Sequence, residues 1–475
     1  MIARSVRRSF VALVALVATA GASQAKPPSL FPEPAALRAQ VAFWERIFGV
    51  YSKHQIVLHD PENLARVYSV LDFRDRAAAG ESELVLELAE RDAVAQERER
   101  IRGVLLRLDA RQGNTGGLDD DERKLWDLFG KDKDPKRFAL AADAGRIRSQ
   151  RGLRERFAEG VRISRRYLAE MEEVFRREGL PVELTRLPLV ESCFDIEAYS
   201  KVGAAGIWQF MPSTGRNYMA IAGVVDERRD PLRATRGAAL HLKENYEVLG
   251  NWPLAITAYN HGRAGMARAA RETGTDDIGK IVKRYRGPLF GFASRNFYAE
   301  FLAALHVERR YRDYFGELQF EGPFVGDEVR LSEALAGHVA ASCADVPPAE
   351  LAALNPAVDS AVFLGGGNIP RGYLLRVPQG TAGAFQQRLA QIAADARIVA
   401  VRSGRKADGR SVAVRATPRG AAGGEVAART HTVRRGQTLS HIAERYRVPV
   451  GKLRDANRLR GNSVKAGQVL RIPTG

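Results

Sequence analysis

The stretch from residue 187 to 218, LPLVESCFDIEAYSKVGAAGIWQFMPSTGRNY, constrains this chain more than any other. At its centre is Glu191, a lone carboxylate that follows the apolar Leu187, Leu189 and Val190. Pro181 suits a first helical turn, and residues 182–187 can continue it. Pro188 removes a backbone donor and is expected to bend or end that helix just before the acid. Gly203 and Gly206 flank two alanines, so the backbone there is expected to approach a ligand closely. A carboxyl set in an apolar wall has a raised pKa, because desolvation disfavours its charged form. A general acid at neutral pH needs that property.

At 475 residues the chain is too long for one compact core, and two to four domains are expected. The formal net charge of +17 predicts an anionic partner. No P-loop, zinc-finger spacing or RNA-binding aromatic motif points to nucleic acid. The eight histidines are scattered without ligand spacing, so neither a metal nor a cofactor is expected. Arg4, Arg7 and Arg8 precede an apolar run over residues 10–20, and Ser23-Gln24-Ala25 ends it on a small residue. This pattern reads as a secretory signal peptide over residues 1–25, which implies export to the periplasm or cell envelope. No cysteine lies near the cut to carry a lipid. Cys193 and Cys343 are the two cysteines; Cys193 reads as a small buried hydrophobe, and whether the two pair stays open.

Taken in order, residues 26–150 read as a helical scaffold. Residues 37–50 have helical apolar spacing and residues 81–112 are helical, while 55–59 and 65–70 fit either short strands or buried helix pieces. Residues 151–178 place Phe157, Val161, Leu168, Met171 and Phe175 on one helical stripe. Further helices are expected over 235–249, closing at Gly250, over 252–259, and from an N-cap at Ser294. The fold class is therefore mainly α up to residue 323. Residues 396–429 carry many arginines among Gly, Ala and Ser, and read as a flexible basic linker with a loose attraction for anionic envelope surfaces.

Glu191-Ser192, Ser200, Gly203-Ala204-Ala205-Gly206, Trp208-Gln209-Phe210-Met211-Pro212 and Ala258-Tyr259-Asn260-His261-Gly262 together resemble the lytic transglycosylases of bacterial cell-wall metabolism. Within these, the chain resembles the membrane-bound lytic transglycosylase D group. The resemblance covers about residues 178–310 and implies a lysozyme-like domain over 151–323. Residues 430–475, with Gly436-Gln437-Thr438-Leu439 and Leu470-Arg471-Ile472-Pro473, resemble a LysM module of strand, helix, helix, strand order that binds N-acetylglucosamine-containing glycans. Gly436, Thr438 and Leu439 are its implied glycan contacts. Residues 324–395, with Leu354-Asn355-Pro356 and Leu375-Arg376-Val377-Pro378, resemble a degenerate copy lacking the opening turn.

A hydrolytic glycosidase normally uses two carboxylates. Only Glu191 sits in the motif, and Asp195 reads as a bystander. The resemblance implies peptidoglycan strands as the partner and one acid that works twice. Glu191 first protonates the β-1,4 glycosidic oxygen, then accepts a proton from the muramyl C6 hydroxyl as it closes a 1,6-anhydro ring. It further implies that Tyr259 stabilises the oxocarbenium-like state and that Ser200 bonds Glu191 or the muramyl group. Gln209 and Asn260 are to serve acetamido groups, and Met211 to line the floor. Trp208, Phe210 and Ile207 are expected in the core. The alternatives are a muramidase of the same fold and an inactive glycan-binding scaffold.

Overall fold

The computed structural model describes residues 29–130, 132–392 and 397, and, towards the C-terminus, residues 430–433, 439, 442–443, 448, 450–457, 459 and 468–472. The expected signal peptide and basic linker lie outside the described residues. Two compact units result, one up to Val401 and one from Arg402.

In the first unit a largely helical core forms around Phe292–Arg309 and Trp252–His261. Helix Arg38–Gly49 turns Val41, Trp44, Ile47 and Phe48 onto one stripe and packs them into that same core. Residues 26–150 are thus not a helical scaffold throughout, and only part of them joins this core. Strand Gln55–Asp60 runs antiparallel between Asn63–Asp72 and Arg148–Arg151, in the order Asn63–Asp72, Gln55–Asp60, Arg148–Arg151. Alternation along the central strand sends Val57 into the main core and Leu58 into a second one. There Leu58 meets Ile101, Leu105 and Leu108 of helix Glu83–Ala110, together with Phe129 and Phe138.

The stripe expected over 151–178 is buried, but on two helices, Arg154–Ser164 and Leu168–Arg177. Helix Pro231–Leu249 starts before residue 235, because the Asp230 side chain accepts from the backbone N–H groups of Leu232 and Arg233 and Pro231 suits the first turn. It ends at Gly250 in the left-handed region, φ 75°. Ser294 does not cap its helix: Phe292–Arg309 begins two residues earlier, and Ser294 Oγ donates to Asn260 Oδ1 at 2.8 Å.

Residues 324–395 hold a small α+β arrangement with its own core, closed by helix Ala382–Gln391. Strands Asp327–Arg330 and Leu374–Val377 pair antiparallel around helices Gly337–Ala344 and Pro348–Leu354. Arg376 donates to Asp230 Oδ2 at 3.1 Å, which ties this module to the first turn of Pro231–Leu249. In the second unit, strands Thr430–Thr432 and Val469–Arg471 pair beside helix Val450–Ala456. Its core is Val433, Leu439, Ile442, Leu453, Leu470 and Ile472. Gly436 and Thr438 lie outside the described residues, and Leu439 is fully buried, so its side chain belongs to the core rather than to a sugar.

Candidate active site

Glu191 ends the short helix Leu187–Glu191. Pro188 does not break the chain before the acid; it occupies the first turn of this helix, where its missing N–H costs nothing. Leu187, Pro188 and Leu189 are buried and hold the turn down, while Glu191 is half-buried. Its carboxyl has no hydrogen bond or ion pair among the described residues. Burial pushes its pKa up to about 8.

The loop after the acid is braced from within. Gly206 adopts φ 71°, and a Cβ there would overlap the carbonyl oxygen of Arg228, so the close approach is to backbone and not to a ligand. Buried Arg228 donates to the carbonyls of Gly203, at 2.7 Å, and Phe210, at 2.9 Å, while Asp226 holds its other edge. Ser200 Oγ accepts from the Ala204 N–H at 2.8 Å and makes no bond to Glu191. Gln209, at φ 47°, spends its amide on the Gly206 carbonyl at 2.8 Å. Met211 stays 39% exposed, free to meet a ligand. Trp208, Phe210 and Ile207 are core, and Trp208 Nε1 donates to Thr235 Oγ1 at 2.9 Å.

Tyr259 comes from helix Trp252–His261, and its hydroxyl donates to the Trp208 carbonyl at 2.9 Å. Burial first, then the charge of Glu191, holds its pKa well above the usual phenol value. Acid and phenol are therefore electrostatic neighbours, and Tyr259 stays neutral. Its ring is backed edge-on by His241 at 5.4 Å. Burial pushes the pKa of His241 down to about 4, so it is neutral too. Tyr218 contacts His241 Nδ1 at 3.1 Å and donates to Glu244 at 2.9 Å; Arg263 closes the chain on Glu244 at 3.1 Å. Asn260 is exposed, with its carbonyl taken by Ser294 and its amide nitrogen free for a ligand.

Sequence reasoning missed Glu300. It lies on Phe292–Arg309, half-buried, with no hydrogen bond or ion pair among the described residues. Burial and the charge of Glu191 push its pKa up to about 8. A lone glutamate in a helix read as core packing carries no local signal of this; spacing on the apolar face was the only hint. Asp195, by contrast, closes a turn on the Glu197 N–H at 3.0 Å and faces Arg156 at 3.7 Å. Cys193 and Cys343 are both buried and free, and burial pushes the Cys193 thiol up to about 11, so it is inert as a nucleophile. Among the described residues no group of three His, Cys, Asp or Glu is placed to hold a metal.

A mainly α unit holding two half-buried glutamates of raised pKa and a neutral tyrosine is thus defined, followed by a small α+β module. Residues 171–282 match the transglycosylase SLT domain, and residues 431–473 match the LysM domain. The chain is 32% identical over 308 residues to membrane-bound lytic murein transglycosylase D of Escherichia coli K12, covering 63% of this chain and 62% of that protein. It is 36% identical over 106 residues to a putative tributyltin chloride resistance protein of an Alteromonas species, covering 22% of this chain and 51% of that one. Among solved structures, the lytic transglycosylase Slt of Pseudomonas aeruginosa, an inactive mutant, aligns at 20% identity and a TM-score of 0.27. That alignment covers 44% of this chain and 37% of that chain, too slight a likeness to carry an argument.

Proposed function

We propose that this protein is a peptidoglycan lytic transglycosylase, cleaving the β-1,4 bond between N-acetylmuramic acid and N-acetylglucosamine without water. The observation that carries the reading is Glu191, held near pKa 8 by burial beside a neutral Tyr259. At neutral pH such a carboxyl keeps its proton until a substrate oxygen takes it. The glycosidic C1–O bond breaks as Glu191 protonates the leaving oxygen. Tyr259 has committed its own proton to the Trp208 carbonyl, which leaves its oxygen lone pairs available to the developing positive charge. The C6 hydroxyl of the same sugar then attacks C1 and returns its proton to Glu191, and the 1,6-anhydro ring closes. The nucleophile is already held by the ring, which replaces a bimolecular step with an intramolecular one.

Hydrolysis with two carboxylates would need Glu300 ionised as a base. Burial and the nearby Glu191 oppose that ionisation, so the muramidase reading is disfavoured. The free amide of Asn260 and exposed Met211 are the proposed sugar contacts, and the LysM unit the proposed tether to insoluble glycan. Export to the periplasm goes with this substrate; among the described residues no helix is long and apolar enough to cross a membrane. Digestion of purified peptidoglycan followed by mass analysis tests the proposal. Wild type should release anhydromuramyl ends, and Glu191→Gln should lose at least about a thousandfold in rate. Reducing ends, one water heavier, would instead establish hydrolysis.

A further inference from the structure

The loop after the acid is braced, yet it holds two large apolar side chains out in solvent. Tyr199 is 68% exposed, more than any other described tyrosine, and Val202 is 75% exposed. Neither packs against the core. The backbone beneath them is fixed. Tyr199 bridges Ala205 antiparallel, and Ala205 bridges Phe210. The Ser200 N–H donates to the Ala204 carbonyl at 2.8 Å, and the Gly206 N–H to the Ala198 carbonyl at 2.9 Å. Ser200 Oγ and buried Arg228 pin the same segment.

Tyr199 reaches back across this loop. Gly203 adopts φ 94°, and a Cβ there would stand 3.9 Å from both the Tyr199 hydroxyl and the Pro212 ring. Met211, the proposed sugar contact, precedes Pro212 and is exposed too. Tyr199, Pro212 and Met211 therefore make one apolar strip across Gly203. The strip borders the acid. Ser192, next to Glu191, donates to the Ile207 carbonyl at 2.9 Å. Ala205, the partner of Tyr199, is two residues from Ile207 and so lies no more than about 7 Å from it.

We infer that Tyr199 is a further sugar-binding residue: its ring stacks on a pyranose of the glycan strand beyond the two sugars joined by the bond that is cut. The inference rests on the proposed function and adds a substrate contact to it. A pyranose has an apolar face of C–H groups, which the flat face of a phenol matches. A contiguous exposed apolar strip beside a polar cleft marks a binding surface. A ring carried on a braced loop loses little freedom when the ligand arrives, so more of the contact appears as affinity. The glycan strand is the occupant because a polymer cut at Glu191 extends to either side of it, and this strip runs from the acid's own loop into Met211.

The test is binding and cleavage of soluble glycan fragments of increasing length by the full chain, with thermal unfolding alongside. In Glu191→Gln, which holds fragments uncut, adding Tyr199→Ala should weaken the binding of long fragments about three- to tenfold by titration calorimetry. In the active enzyme the same change should raise KM by a similar factor and act on kcat far less. The effect should shrink as fragments are shortened to the two sugars around the cut bond. Tyr199→Phe and Tyr199→Trp should restore tight binding, because the ring carries the contact. A merely structural role would lower kcat on fragments of every length together with the melting temperature, and would overturn the inference. Binding and cleavage of long fragments by Tyr199→Ala at wild-type strength would overturn it as well and leave the role of Glu191 intact. So would a dimer in sedimentation that Tyr199→Ala dissolves, which assigns the strip to a second copy. Survival of activity in Glu191→Gln would instead overturn the proposed function itself.

Discussion

Two small α+β modules, one within residues 324–395 and one that matches the LysM domain, share one bracket and use it differently. In the first, Asn355 donates to the carbonyls of Leu351, at 2.9 Å, and Arg376, at 2.7 Å, and accepts from the Arg376 N–H at 2.8 Å. In the second, Asn457 does the same with Leu453, Arg471 and the Arg471 N–H, at 2.7, 2.7 and 2.6 Å. Each asparagine ties the end of a helix to the last strand, within Leu-Arg-Val-Pro in one module and Leu-Arg-Ile-Pro in the other. The arginine that follows the bracket separates them. Arg376 is buried against fully buried Asp230, whose other oxygen caps Pro231–Leu249. Arg471 is exposed, in a unit with its own core. The same local motif is a joint in one place and the rim of a separate module in the other. Surroundings, not the motif, set what its arginine does.

Arg376→Ala should show the contrast most strongly. It removes one of the two arginines on fully buried Asp230, leaving Arg233 at 3.5 Å, which costs about 3 kcal/mol, read by denaturant unfolding. Lytic rate should fall with it, since Asp230 starts the helix that carries His241. Arg471→Ala should cost less than about 0.5 kcal/mol. Equal losses for the two would erase the distinction. Next comes the bracket itself: Asn355→Ala should cost about 2–3 kcal/mol because its partners stay buried, and Asn457→Ala about 1 kcal/mol, confined to the terminal unit.

A pH series sharpens the view of the first unit. Folded Glu300 has a pKa near 8, raised above the unfolded value of 4.5, so between those values the folded state binds more protons than the unfolded one. Stability therefore declines as pH rises through that window. Glu300→Gln should melt at the wild-type temperature near pH 4 and above it near pH 8; a parallel course at both would show Glu300 to be ordinarily solvated. The smallest effect on chemistry is expected from deleting residues 430–475. Cleavage of soluble fragments should be unchanged while pull-down on insoluble peptidoglycan weakens, and an unaltered pull-down would remove the tether from the account.

Much of the site could be read in advance because its signals are local. Glu191 follows an apolar run, and Tyr259 sits at the end of a short helix that Gly262 closes. The loop between them shows its composition in the sequence but not its internal bracing. Gly206 makes room for the Arg228 backbone, and Ser200 and Gln209 brace the loop's own turns. In sequence Pro188 reads as a bend or a stop although it fits a first turn, because the preceding 3-10 segment Val182–Arg186 leaves no trace distinct from an α-helix. The strands at 55–60 and 63–72 were ambiguous for the same reason: short apolar runs suit either state until a partner strand appears.

What the chain's order of residues determined by itself was the acid in its apolar setting, the helical frame and the bracketed modules. All of these are periodic or contiguous patterns, set by backbone sterics and burial. Only the tertiary structure decided what Glu191 faces. Glu300 comes from a helix far along the chain. Its coupling to Glu191 passes through space, by burial and Coulomb forces that fall off with distance and not with sequence separation.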